Sequence, residues 1–236
     1  MKIPVIHGFI DRRILINFTV DPLIAKRIVP DPFFPKVYKG KAIVGICLIR
    51  LKNIKPKGFP DIFGVSSENA AHRIAVEWHE NDIKKEGVYI PRRDTSLKLN
   101  SLIGGRLFPG KHHLAKFTVK EVEGNYHLSF VSNDNTTMSI DAKETEQFSS
   151  DSIFGTLQNA SDFFEQGSVG YSPKRKQFEG LKLNTYNWSV APLEVTNVKS
   201  SLFEDQGIFP ANSIKFDNAL LMKKIEHEWN NVGVIE

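Results

Sequence analysis

Apolar and polar side chains alternate along residues 14–19, with Ile14, Ile16 and Phe18 on one side and Leu15, Asn17 and Thr19 on the other. A period of two predicts a strand with a buried face. Asp21-Pro22 follows, and this pair suits a helix start, with Asp21 as N-cap and Pro22 at the first helical position. Leu23, Ile24, Arg27 and Ile28 then form one helical stripe, which Pro30 ends. After a loop rich in proline (Pro30, Pro32, Pro35), residues 41–51 form an almost unbroken apolar run. Such a run predicts a strand buried on both faces.

Further strands are predicted downstream. His72, Ile74, Val76 and Trp78 share one face, and Ala75, Glu77 and His79 the other. Ala115, Phe117 and Val119 alternate with lysine and threonine, and a Gly124-Asn125 turn leads to Tyr126, Leu128 and Phe130, a hairpin pattern. Tyr186, Trp188 and Val190 alternate in the same way, followed by Leu193 and Val195, then Ile214 and Phe216. Leu157, Ala160, Phe163 and Phe164 lie three to four apart between Ser152 and Gly167, which predicts a helix. Residues 219–229 fit helix or strand. With no repeat, linker or break in composition, the pattern describes one α+β domain over residues 1–236, mainly β with a few short helices.

Composition narrows the function classes. The 236 residues are 41% hydrophobic and 25% charged, which excludes wholesale disorder. No apolar run approaches the ~18 residues of a membrane span, so no membrane partner is expected. The start, residues 1–10, is too short and polar for a secretion signal. The net charge is +4, and the densest basic cluster, Lys174-Arg175-Lys176, reads as a solvated turn after Ser172-Pro173; no nucleic-acid partner is expected. The single cysteine, Cys47, cannot form an internal disulfide, which suits the cytoplasm; within Ile46-Cys47-Leu48 it reads as a small buried hydrophobe. Phosphate-loop, dinucleotide, nucleophile-elbow and zinc-protease motifs are absent, and no cofactor is expected.

Of the seven histidines, only His112-His113 are concentrated. Neighbours on a strand point to opposite faces, so the two cannot share a metal. Glu77 and His79 share a face but lack a third ligand, so no metal site is expected. Extending the alternation of Ala115, Phe117 and Val119 backwards places His113 on the apolar face and His112 on the polar one. A core-facing His113 suits a general acid/base in a pocket, or a structural histidine.

The segment Arg13 to Asp21-Pro22, then Ile28-Val29-Pro30 and Gly40 to Gly45, resembles the opening of the YqjF-like uncharacterised proteins of the acetoacetate decarboxylase superfamily. The resemblance continues through Ser67-Glu68-Asn69, Gly87 to Ile90, Gly105-Arg106 and Lys111-His112-His113-Leu114-Ala115, and closes with Ser200 to Phe203, Phe209-Pro210 and Ala219 to Met222. It implies a β-barrel-like α+β domain enclosing a small-molecule cavity. True decarboxylases of the superfamily carry two neighbouring lysines, one of which forms a Schiff base while its neighbour depresses its pKa. On the family pattern His112 and His113 stand in those places, and an imidazole cannot form that imine. Lys111 falls one step earlier, on the family's proline. Glu68 matches the family's loop glutamate, Val44-Gly45-Ile46 replaces a second acidic residue, and the N-terminal family arginine is Arg12 or Arg13.

Three functions follow. The leading one is a protein that binds or transforms a small oxo- or carboxyl-containing ligand without a Schiff base, using His112 or His113, with Arg106, Arg13 and Glu68 around the ligand. The second is a decarboxylase that has moved its nucleophile to Lys111. The third is a non-catalytic binding or sensing protein that keeps only the fold. Assembly into a homo-oligomer is compatible with all three. The family pattern assigns His112 to the cavity and the strand period assigns His113; the period is preferred, because shifting it would expose Phe117 and Val119.

Overall fold

The computed structural model describes residues 4–98 and 109–236. Arg106 and the Gly104-Gly105 pair lie outside the described residues. Most of the chain forms one 13-stranded sheet. The first strand, β1 (Ile6–Val20), leads into helix α1 (Pro22–Ile28), whose start is capped as the sequence predicts: Asp21 Oδ1 accepts from the Leu23 amide at 2.8 Å. Two short strands, β2 (Phe34–Pro35) and β3 (Val37–Tyr38), precede the long meander β4 (Lys41–Pro56), β5 (Val65–Glu80) and β6 (Ile83–Thr95). Then come β7 (His112–Val122), β8 (Asn125–Ser132) and β9 (Thr137–Glu144), helix α2 (Leu157–Gln166), β10 (Val169–Lys174), β11 (Gln177–Thr185), β12 (Ala191–Ser200) and β13 (Ile214–Ile235). Among the described residues no helix is long and apolar enough to cross a membrane.

The sheet closes on itself twice. Hydrogen bonding runs β11-β10-β6-β7-β8-β9-β12-β13-β1-β4-β5, and two further pairings, β6–β5 and β11–β13, complete two rings. Strands β13, β1, β4, β5 and β6 belong to both rings and so form a wall between them. This explains the unbroken apolar run of β4. Val44, Ile46 and Leu48 pack into a first core with Ile14, Ile16, Ile74 and Val76. Ile43, Cys47 and Leu51 point the other way, into a second core with Leu15, Ala75, Leu220 and Met222. Each buried aliphatic side chain contributes about 1.5–3 kcal/mol, so the wall is stabilised from both faces.

The first ring encloses the first core. Leu128, Phe130, Met138 and Ile140 from β8 and β9 fill it, with Ala115 and Phe117 of β7. The β7–β8 hairpin turns on Glu123 and Gly124, with φ of 47° and 76°, rather than on Gly124-Asn125; Asn125 already pairs with Val122. Left-handed φ at both positions is the geometry a two-residue hairpin needs. Residues 219–229, which fit either element, continue β13.

Residues 186–190 do not form the predicted strand. The backbone leaves β11 at Thr185, and its alternating aromatics anchor an irregular segment instead. Trp188 turns inward, packs on the second core and donates its indole N–H to Ser161 Oγ of α2 at 2.9 Å. The basic triplet Lys174-Arg175-Lys176 is the exposed turn between β10 and β11.

Candidate functional site

The second ring keeps an open space. A cavity of ≈ 310 Å³ lies against the shared wall, beneath α2 and the β10–β11 hairpin. Its floor is built by period-two alternation: Asn69, Ala71 and Arg73 of β5 all face it, as do Cys47, Ile49 and Leu51 of β4. Small side chains at Ala71 and Gly170 leave the room. Exposed Glu165 and Lys182 stand at the rim.

Three arginines enter this space: Arg13 from β1, Arg73 from β5 and Arg93 from β6. Their contacts are neutral. Arg13 donates Nε–H to Cys47 Sγ at 3.3 Å. Arg73 donates to the side-chain oxygen of Asn17 and rests over the Phe164 ring at 4.8 Å, while its Nε has no hydrogen-bond partner. Arg93 donates Nε–H to Ser172 Oγ at 3.3 Å. Among the described residues none of the three forms an ion pair with a carboxylate. Burial pushes Arg73 and Arg93 each down to about 10, still above neutral pH, so both remain cations. Asp94 also borders the cavity, but its carboxylate is held by Arg92 at 3.0 and 2.7 Å and by the Ser132 hydroxyl. The space is therefore cationic, and a buried cation without a counter-ion is costly unless a ligand supplies one.

His112 borders the cavity. It pairs with Arg93 in the parallel β6–β7 ladder, just after Gly110. Gly110 has φ +91°, and a Cβ there would lie 2.8 Å from that of Ser172, so glycine lets β10 close against the approach to His112. His113 lies on the opposite side, where its Nδ1 is 3.1 Å from Asp134 Oδ2 in a network with Arg92. Burial, then the charge of Arg92, holds the His113 pKa below the usual histidine value. The strand period does put His113 on the side of Ala115 and Phe117. That side faces the packed first ring, whereas the other side of β7 at His112 meets the cavity. The expectation that the apolar face is the cavity face fails because the chain builds two interiors.

The remaining sequence candidates are dispersed. Lys111 is exposed and does not line the cavity. Glu68 sits on the far face of the wall, bound by Arg12 at 2.6 Å and Arg50 at 2.5 Å, with Glu121 completing the cluster. Of the two N-terminal arginines, Arg12 is spent in that cluster and Arg13 reaches the cavity. Arg73 and Arg93 escaped the sequence reading. Their signal was there: Arg73 interrupts Ala70-Ala71-His72 and Ile74-Ala75-Val76, and a charge amid such a run marks a wall that opens on a polar space. Among the described residues no group of three His, Cys, Asp or Glu side chains could hold a metal ion.

The sheet-rich α+β fold is acetoacetate decarboxylase-like. Acetoacetate decarboxylase from Legionella pneumophila subsp. pneumophila strain Philadelphia 1 superposes with a TM-score of 0.63 at 12% identity, covering 98% of this chain and 87% of the other. An acetoacetate decarboxylase-like enzyme from Sphingomonas wittichii RW1 gives 0.60 at 9% identity, covering 100% and 94%. The enduracididine biosynthesis enzyme MppR, complexed with the condensation product of pyruvate and imidazole 4-carboxaldehyde, gives 0.60 at 9% identity, covering 100% and 89%. At such identities the likeness is one of fold. No curated protein matches the sequence. The chain belongs to the DUF2071 family, described as uncharacterized conserved protein (COG2071), whose profile matches residues 10–222.

Proposed function

We propose that this protein, a YqjF-like member of its family acting in the cytoplasm, binds or transforms a small oxo- or carboxyl-bearing anion in the cavity without a Schiff-base lysine. The observation that carries this reading is the set of Arg13, Arg73 and Arg93 around one space, none of them ion-paired with a carboxylate among the described residues. Guanidinium groups grip carboxylates through paired N–H donors and stabilise negative charge that develops on an adjoining oxygen. His112, beside Arg93 on the neighbouring strand, is the group placed to hydrogen-bond the ligand or move a proton. An imine route is disfavoured by position: Lys111 is off the cavity, and Lys182 stands exposed at its rim, where a solvated ammonium is a weak nucleophile. The cytoplasmic placement is supported by the lone buried thiol of Cys47.

Calorimetric titration with 2-oxopentanoate and 2-oxoglutarate tests the reading. Saturable binding of at least one, weakened tenfold or more by Arg73→Met, is expected. Binding of neither, or affinities that Arg73→Met leaves unchanged, would refute it.

A further inference from the structure

The three arginines do not form one cluster. Arg73 crosses Gly45 toward Asn17 on β1, and Arg13 starts from β1 itself and reaches Cys47 on β4. The charge of Arg13 is felt at Arg73, which it helps to push down, after burial. Arg93 leans the other way, from β6 to Ser172 on β10. Between the backbones of Arg13 and Arg93 lie three strand spacings, about 14 Å along the sheet at ~4.8 Å each. Cys47 and Ala71 occupy the ground between, and neither competes for a large ligand volume. Among the described residues no partner holds the terminal nitrogens of Arg93, so its paired donors point to a second carboxylate. At the rim Glu165 and Lys182 offset each other, and Asp94 is engaged by Arg92, so the interior charge is not cancelled.

We infer that the ligand is an organic dianion with its charges at opposite ends of a short chain, one carboxylate held between Arg13 and Arg73 and the other by Arg93 beside Ser172. This rests on the proposed function and goes further, since that reading needs only one anionic group. Arg93 then decides specificity. It distinguishes a dicarboxylate from a monocarboxylate of equal length, because a terminal methyl in its place would leave the guanidinium desolvated and unpaired.

The experiment compares 2-oxoglutarate with 2-oxopentanoate, which share the 2-oxo acid head and chain length and differ only in a terminal carboxylate or methyl. The wild-type protein is expected to bind 2-oxoglutarate at least tenfold more tightly. Arg93→Gln should abolish that preference by lowering 2-oxoglutarate affinity at least tenfold, and Arg93→Lys should restore part of it. Ser172→Ala, which removes the acceptor orienting Arg93, should reduce the preference in the same direction, and serves if Arg93→Gln does not fold. Equal affinities in the wild type, or a preference that survives Arg93→Gln, or inorganic phosphate binding as tightly as 2-oxoglutarate, would overturn the dianion and leave the broader function standing. Failure of both oxo acids to bind would overturn both.

Discussion

Arg73 donates to the side-chain oxygen of Asn17 from two strands away, with Gly45 of β4 lying between them in register. A Cβ on Gly45 would come within 2.4 Å of the Ile16 carbonyl oxygen and 3.4 Å of Asn17 Oδ1, so only glycine leaves this crossing clear. Asn17 is oriented in turn: its Nδ2 donates to Asn218 Oδ1 at 2.8 Å, and Asn218 donates to Asp217 Oδ2 at 2.6 Å. A relay of side-chain amides thus presents an oxygen to a buried guanidinium that forms no ion pair among the described residues.

Asn17→Leu should therefore destabilise the protein by about 1–3 kcal/mol, the cost of stranding a buried donor on Arg73 and a buried acceptor on Asn218. Urea unfolding of the variant checks this, and a loss below about 0.5 kcal/mol would show that Arg73 finds another acceptor.

The two adjacent histidines should separate by phenotype. His112→Ala should weaken or abolish binding of 2-oxo acids with little change in melting temperature, because the side chain borders the cavity. His113→Ala removes a partly exposed contact with Asp134 and should leave binding intact, at a stability cost of about 0–1 kcal/mol. The reverse pattern would reassign the cavity group to His113.

Glu68→Gln should cost stability without touching the ligand. Arg12 is 2% exposed and shares its charge between Glu68 and Glu121, so losing one partner should lower unfolding free energy by about 2 kcal/mol. Ligand affinity in the same variant should stay within twofold. A large change in affinity would bring Glu68 back into the site.

Mild acid should weaken the fold through its buried histidines. Burial pushes His72 down to about 3 and His227 down to about 4, against ~6.5 when unfolded. Between pH 6.5 and 4 the unfolded chain binds protons that the folded chain refuses, so stability falls as pH falls, by about 1.4 kcal/mol per pH unit for each histidine. Carboxylates with lowered pKa, such as Glu144 beside Lys223, contribute stability above their unfolded pKa and lose it only at lower pH. Urea midpoints at pH 7, 6 and 5 should decline, and His72→Gln should make the decline shallower. A flat profile over this range would contradict the burial of both rings.

Borohydride added with acetoacetate should leave every lysine unmodified by mass spectrometry. A stoichiometric adduct on Lys111 or Lys182 would establish the imine chemistry that their exposed positions argue against.

The local code of the fold was readable because it is carried by short-range patterns. Asp21-Pro22, the alternation of β1 and the stripe Leu157-Ala160-Phe163-Phe164 each appear where the sequence puts them. The irregular path of residues 186–190 was not, since Trp188 and Val190 alternate by packing on the second core and not by pleating. The site was only half legible for a similar reason. Periodicity assigns His112 and His113 to opposite faces correctly, but which face meets an open space depends on the β10–β6 and β11–β13 pairings between distant segments. Arg73 and Arg93 lie on the adjacent strands β5 and β6, and it is that closure that turns them into one enclosed space.

A wall shared by two interiors has no outer side on which substitutions can accumulate harmlessly. Along β8, every second side chain meets solvent and can drift. Along the middle of β4 both faces are enclosed, one in the first core and one in the second. Random mutagenesis should therefore find β8 tolerant at alternate positions and β4 intolerant throughout residues 42–48. A swap meant to repack the first ring there, such as Ile46→Val, should also reach ligand affinity through the backbone it shares with Cys47.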